Sequence, residues 1–287
     1  MSSAGVIRTH NGFGWTSNVP NQITCALLAD LNGSVDRSVT VLDIGAGLGV
    51  ATLPLLETGA TVLANDLEVS HLDVIRAEAE KRGCTDRLIC KVGRFPTELQ
   101  FEELDTIHCS NVLHFLSGEE IEVGAQLMRK WLKEDGRVYI QVGTIYAGHI
   151  TRLLPIFEER RKQGVRWAGE TEHARDLVHP EFADVVPQFM NYLDAEPVIQ
   201  AFEDAGFKTE KAWYYTRNAL PEVFRSDGRE HFGYIGRKNW AGRGSDRRTG
   251  EEQCQSLVKQ LLRVMEKGMS SSSARLGATT IWLSNGS

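Results

Sequence analysis

Short apolar runs alternate with amphipathic stretches through the first half of the chain, and that alternation implies a parallel sheet with helices on its faces. Residues 40–44 (TVLDI), 60–64 (ATVLA), 88–92 (LICKV), 106–110 (TIHCS) and 137–142 (RVYIQV) read as five buried strands. The helices expected between them lie near 50–57, 73–82 and 119–132. In the last of these, Ile121, Ala125, Met128 and Leu132 fall at helical spacing. A further helix over 192–205 is stopped by Gly206, and strands at 207–215 and 230–236 close the sheet. The expected fold is α/β: a doubly wound, mostly parallel seven-stranded sheet with a helical insertion after strand five.

The same pattern divides the chain. Residues 1–34 precede the first strand as a cap segment, 35–238 hold the sheet, and 143–190 within them form the insertion, rich in arginines and aromatics. From 239 onward the composition changes to a loop-like run, an amphipathic stretch at 254–267 and a serine run, which together read as an appendage.

Composition narrows the class. Against 38 acidic residues stand 32 Lys and Arg, a formal charge of -6, which counts against a broad nucleic-acid surface. No stretch approaches the roughly 18–20 apolar residues of a membrane span, and the first residues show no apolar core of a secretion signal. The cysteines at 25, 84, 90, 109 and 254 form no CxxC pair and no metal-ligand spacing. An odd, scattered set implies free thiols in a reducing compartment, so a cytoplasmic protein without a metal or a membrane partner is expected.

The string Val41-Leu42-Asp43-Ile44-Gly45-Ala46-Gly47-Leu48-Gly49 carries the chemistry. A strand that runs into alternating glycines lets backbone approach a ligand without Cβ obstruction. Asp66, 21 positions after Gly45 and at the end of the second strand, stands where dinucleotide folds place the acid that holds ribose hydroxyls. Together they call for an adenosine-type ligand. A NAD-type GxGxxG/A fingerprint would need Gly or Ala where Val50 stands.

The form D-x-G-x-G-x-G resembles the first motif of the class I S-adenosylmethionine-dependent methyltransferase family. Ala64-Asn65-Asp66-Leu67 resembles that family's second-strand end, and Ser110-Asn111-Val112-Leu113-His114-Phe115-Leu116 its fourth strand and following loop. Trp131-Leu132-Lys133-Glu134-Asp135-Gly136-Arg137-Val138 and Phe202-Glu203-Asp204-Ala205-Gly206-Phe207 resemble its entries into strands five and six. The resemblance implies a Rossmann-like methyltransferase fold with S-adenosylmethionine as cofactor and S-adenosylhomocysteine as product. It sets Gly45, Ala46, Gly47 and Gly49 along the cofactor, Asp43 near its ammonium group, Asp66 on its ribose and Leu67 on its adenine, with Ser110 nearby. Where many members have an acid after strand three, this chain has Arg94, which leaves the adenine contact to backbone or to Phe95.

Methyl transfer from a sulfonium needs an acceptor held in line and, for an O–H or N–H acceptor, a base. His114, Tyr146 and His149 follow strands four and five and are the candidate bases. Trp15, Asn18, Tyr146, Arg152 and Arg166 are candidate acceptor-pocket residues, while His71 is expected to be structural. The insertion suits a covered pocket for a small-molecule acceptor. A protein or peptide acceptor, and an NAD-type binding module, stand as alternatives.

Overall fold

The computed structural model describes residues 6–10, 15–33, 38–150, 152–218 and 220–239. Met1–Ala241 is one compact unit, and nearly all of the appendage expected from 239, including its amphipathic stretch, lies outside the described residues. Two short antiparallel strands, β1 (Val6–Arg8) and β2 (Trp15–Ser17), lead to helix α1 (Gln22–Gly33). The Asn21 carboxamide oxygen caps α1 by accepting from the N–H groups of Ile23 and Thr24 at 2.9 and 3.0 Å.

The sheet domain then alternates as the polarity pattern requires: β3 (Thr40–Ile44), α2 (Thr52–Glu57), β4 (Thr61–Asp66), α3 (Val69–Lys81), β5 (Leu88–Val92), β6 (Leu104–Ser110), α4 (Gly118–Trp131) and β7 (Leu132–Gly143). The insertion holds α5 (Leu154–Lys162), β8 (Glu170–Thr171), α6 (Ala174–Leu177) and β9 (Met190–Asn191). Helix α7 (Ala195–Asp204) and strands β10 (Phe207–Tyr215) and β11 (His231–Lys238) complete the fold.

The seven long strands lie in the order β10-β11-β7-β6-β3-β4-β5. β3 to β7 are mutually parallel, and β11 runs antiparallel to both of its neighbours. From β3 the chain winds outward through β4 and β5, then returns to β6 on the other side of β3. That reversal puts a crevice at the carboxyl ends of β3 and β6, the usual ligand position in open α/β sheets.

Three boundaries differ from expectation for local reasons. α3 starts at Val69, before the predicted 73, because the Glu68 carboxylate caps it from Ser70 N–H at 3.1 Å. β7 begins at Leu132 because Leu132 already pairs with Leu104 of β6. The insertion is not simply helical, since β8 and β9 pair within it. There the backbones close so tightly that a Cβ on Gly169 would lie 1.9 Å from the Tyr192 carbonyl oxygen. The insertion has its own apolar core, which includes Ile145, Leu153, Phe157, Val178, Phe182 and Tyr192. Asn191 Nδ2 ties it to the Leu116 carbonyl after β6 at 3.2 Å.

Candidate active site

β3 ends in a loop whose glycines take left-handed backbone conformations, φ 67° at Gly45 and 54° at Gly47. At Gly45 the constraint is also steric, because a Cβ would meet the Val112 side chain at 2.3 Å. At Gly47 a Cβ would meet nothing within 4 Å, so the loop opens onto free space there. Gly49 packs the start of α2, with Leu53 and Ile75 about its Cα at 3.2 and 3.0 Å from a built Cβ.

Asp66, at the end of β4, faces that loop. Its Oδ2 accepts from Gly47 N–H at 2.8 Å, and its Oδ1 accepts from Glu68 N–H at 2.9 Å and pairs with His71 Nδ1 at 3.1 Å. Leu67 beside it is 53% exposed. Open backbone at Gly47, a carboxylate and an exposed apolar side chain in one row fit a ribose and a flat base. These residues are able to hold an adenosyl ligand. His71, expected to be structural, is a partner of the site's carboxylate.

Asp43, expected near a ligand ammonium, is engaged by the protein itself. It is 2% exposed, and the protein's own groups use both its oxygens: Thr52 Oγ1 donates to Oδ2 at 2.6 Å and His108 Nδ1 lies 2.8 Å from Oδ1. The carboxylate thus locks α2 and β6 beneath the glycine loop. The network continues from His108 Nε2 to Thr24 Oγ1 at 3.1 Å and reaches Asn21. Asn21 Nδ2 donates to Ser110 Oγ at 2.7 Å and Gln141 Oε1 at 3.0 Å, while Gln141 Nε2 donates to Asn111 Oδ1 at 2.9 Å. Ser110 therefore belongs to a buried polar seam that fixes α1 and the loop after β6.

The run after β5 also turns away from the crevice. The Arg94 guanidinium donates to Glu120 on α4 at 2.7 Å. Phe95, 5% exposed, packs under α4, where a Cβ on Gly124 would lie 2.5 Å from its ring. Phe95, expected beside backbone as one source of an adenine contact, is part of the core.

The other side of the crevice holds three histidines. His114 lies in a single 3-10 turn (Leu113–Phe115) after β6, and His149 follows β7. His231 opens β11 and pairs in register with Gly143, the last residue of β7, and with Tyr215 of β10. All three thus gather at the carboxyl ends of the parallel strands. The Nδ1 atom of each is buried and has no hydrogen-bond partner among the described residues, and the same is true of the Tyr192 and Tyr215 hydroxyls. Burial pushes the His114 and His149 pKa values down to about 4. It pushes His231 to about 3, helped by the Arg217 cation. All three rings are neutral near pH 7. Aromatic rings flank them: His149 lies 4.8 Å from Phe224 and 5.9 Å from Phe182, and His114 4.2 Å from Phe115. His231 escaped sequence reasoning because nothing local marks a strand residue as facing two loops more than eighty positions away.

Two expected pocket residues point elsewhere. Tyr146 donates to Asp194 at 2.9 Å under the Arg229 guanidinium, 3.7 Å from its ring centroid. Burial and Asp194 push its phenol pKa up, and its hydroxyl donates to Asp194. It lines an open groove of about 460 Å³ with Arg161, Asp194, Glu196, Gln200 and Tyr214. Arg166 bridges Glu122 of α4 and Asp204 of α7 on the outside, at 3.2 and 2.9 Å. Arg152 and Asn18 are exposed. Trp15 pairs through its backbone with Arg8, and its side chain lies outside the described residues.

The family model described as a methyltransferase domain matches residues 41–136, from β3 into β7. Over 102 residues the chain is 28% identical to phosphoethanolamine N-methyltransferase 1 of Zea mays. The stretch is 36% of this chain, and the chain spans 20% of that relative's length. Magnesium protoporphyrin IX methyltransferase from Synechocystis has a similar structure, with a TM-score of 0.52 and 14% identity over 76% of this chain and 82% of that one. Geranyl diphosphate C-methyltransferase from Streptomyces coelicolor, in complex with S-adenosyl-L-homocysteine, gives 0.52 and 12% over 75% and 79%. At these identities the likeness is one of fold.

Proposed function

We propose that the chain carries a class I S-adenosylmethionine-dependent methyltransferase domain, a reading supported by the family-model match over residues 41–136, and that it transfers a methyl group from S-adenosylmethionine to a small-molecule acceptor. The cofactor supplies an activated methyl on a sulfonium. The backbone at Gly45–Gly47, the Asp66 carboxylate and the Leu67 side chain would hold it, with Asp43 and Gly49 supporting the loop from below. The observation that carries the acceptor half is the trio His114, His149 and His231, whose buried ring nitrogens lack partners at the carboxyl ends of β6 and β7.

A buried polar group without a partner costs about 1–3 kcal/mol, so an acceptor that supplies hydrogen bonds there recovers that cost. Each neutral imidazole has one nitrogen free to take a proton or a hydrogen bond. His114 is placed best for the proton, because Val112, two residues before it, abuts Gly45 of the cofactor loop. An acceptor O–H or N–H directed at that ring would pass its proton to the imidazole as its bond to the methyl carbon formed and the carbon–sulfur bond of the cofactor broke. Phe115, Phe182 and Phe224 exclude water and suit an acceptor with apolar faces. Orientation in such a site contributes on the order of 7–11 kcal/mol to rate in favourable cases.

The test has two arms. S-adenosylhomocysteine should raise the melting temperature and NAD should not, and stabilisation by NAD alone would reverse the cofactor reading. Labelled S-adenosylmethionine offered with a metabolite extract should then give label in low-mass products. Label only in protein would replace the small-molecule acceptor by a protein or peptide one.

A further inference from the structure

We propose that His71 is a positioning residue that couples the N-terminal strand pair β1–β2 to the cofactor carboxylate; the inference rests on the reading that Asp66 holds the ribose of S-adenosylmethionine. Asp66 ends β4 and His71 lies in the first turn of α3, yet their geometry depends on His10, 61 positions before His71. The main-chain N–H of His10 lies 3.0 Å from His71 Nε2. An amide N–H can only donate, so Nε2 accepts, and in the neutral ring the proton sits on Nδ1. That proton faces Asp66 Oδ1 at 3.1 Å. The His71 side chain is 1% exposed, so water does not compete for either nitrogen.

A second tie keeps His10 in place. Its Nδ1 lies 3.1 Å from Ser70 Oγ, and its ring sits 5.2 Å from that of His71. Ser70 in turn donates to Glu68, whose own N–H donates to Asp66 Oδ1. One carboxylate oxygen is thereby held by Glu68 and His71, and the other by Gly47 of the glycine loop. His10 lies two positions after β1, which is paired with β2. When the strand pair is seated, its amide fixes the His71 tautomer that donates to Asp66. When it lifts, Nε2 loses its donor and the ring is free to present an unprotonated Nδ1, which repels the carboxylate. A site that binds cofactor better with the pair seated must, by linkage, seat the pair better with cofactor bound.

The full chain serves for the experiment. Hydrogen exchange of peptides covering 6–10 and 15–17 is read with and without S-adenosylhomocysteine, and calorimetry gives its affinity. In the wild-type chain the ligand should slow exchange of both peptides. His71→Leu should weaken the ligand by about fivefold or more, the lower end of inter-site couplings, and abolish the slowing. His71→Asn keeps an amide donor toward Asp66 but no acceptor for His10, so it should lose the slowing with a smaller loss of affinity. His10→Pro removes the donor together with the ring's tie to Ser70, and should weaken the ligand too. Combined with His71→Leu, it should add nothing beyond the larger single effect. Folded His71→Asn and His10→Pro chains that bind within about twofold of wild type and keep the slowing would overturn the coupling. Asp66→Asn separates the two layers: if it leaves affinity unchanged, the ribose reading fails, whereas if it weakens binding and the His71 and His10 variants do not, only the coupling fails.

Discussion

The two halves of the crevice are finished to different degrees. On the β3–β4 side every buried carboxylate oxygen has a partner: Asp43 is held by Thr52 and His108, and Asp66 by Gly47, Glu68 and His71. On the β6–β7–β11 side, His114, His149 and His231 carry buried ring nitrogens with no partner among the described residues. A site completed by its own protein is preorganised for one invariant ligand. Polar groups left over wait for a ligand that completes them, and specificity resides there. The contrast fits a shared cofactor on one side and a particular acceptor on the other.

The largest effect expected is on the unfinished side. His114→Ala should lower kcat by about 10²–10⁴, the range for loss of a positioned base, with S-adenosylhomocysteine affinity unchanged. A parallel fall in affinity would dissolve the distinction between the halves, since His114 would then serve both. Next comes the finished side. Asp66→Ala should weaken S-adenosylhomocysteine at least about tenfold, because hydrogen bonds to a charged group contribute roughly 1.5–3 kcal/mol each. Calorimetric affinity close to wild type would remove Asp66 from the cofactor.

The halves should also part on acidification. The His114, His149 and His231 pKa values are lowered to about 4, 4 and 3 from an ordinary 6.5. Between those values the unfolded chain binds protons that the folded chain refuses, so stability falls as pH drops from about 6.5 toward 4 and is full above 6.5. Urea titrations across that window should show the loss. His149→Phe should make the slope shallower, and an unchanged slope would mean that His149 does not titrate as a buried neutral ring.

How much of this was legible in the sequence follows the same division. The cofactor side is local: a strand, a glycine turn and an acid 21 residues on, each fixed by backbone rules that act over a few positions. Hence all seven sheet strands and the Asp66 position could be read directly. Asp43 was visible but its His108 partner was not, since His108 meets it only after β6 folds beside β3. The acceptor side joins loops with β11 through sheet order, and no spacing encodes that order. His114 and His149 stood out by following strands, whereas His231 did not. Arg94 pairs with Glu120 and Phe95 packs against Gly124 of α4, contacts that no local pattern after a strand encodes.

The smallest effect expected sharpens the boundary of the acceptor side. Tyr146 follows β7 as His149 does, but its hydroxyl donates to Asp194, which also caps α7 by accepting from Ala195 N–H at 2.8 Å. Its ring lies under Arg229 and meets Tyr214 edge-on, and it lines an open groove with Arg161, Asp194 and Tyr214. Tyr146→Phe keeps the ring and its stacking and removes one hydrogen bond, a change of about 0.5–1.5 kcal/mol in stability. kcat and KM should therefore stay near wild type, and Arg166→Ala, which breaks pairs with Glu122 and Asp204 and a cation–π contact with Trp167, should behave likewise. Both outcomes would confine the acceptor to the histidine cluster. A large rise in KM from Tyr146→Phe with unchanged stability would instead extend the acceptor across β7 into the groove beside α7, and the open shape of that groove would then favour a peptide over a small molecule.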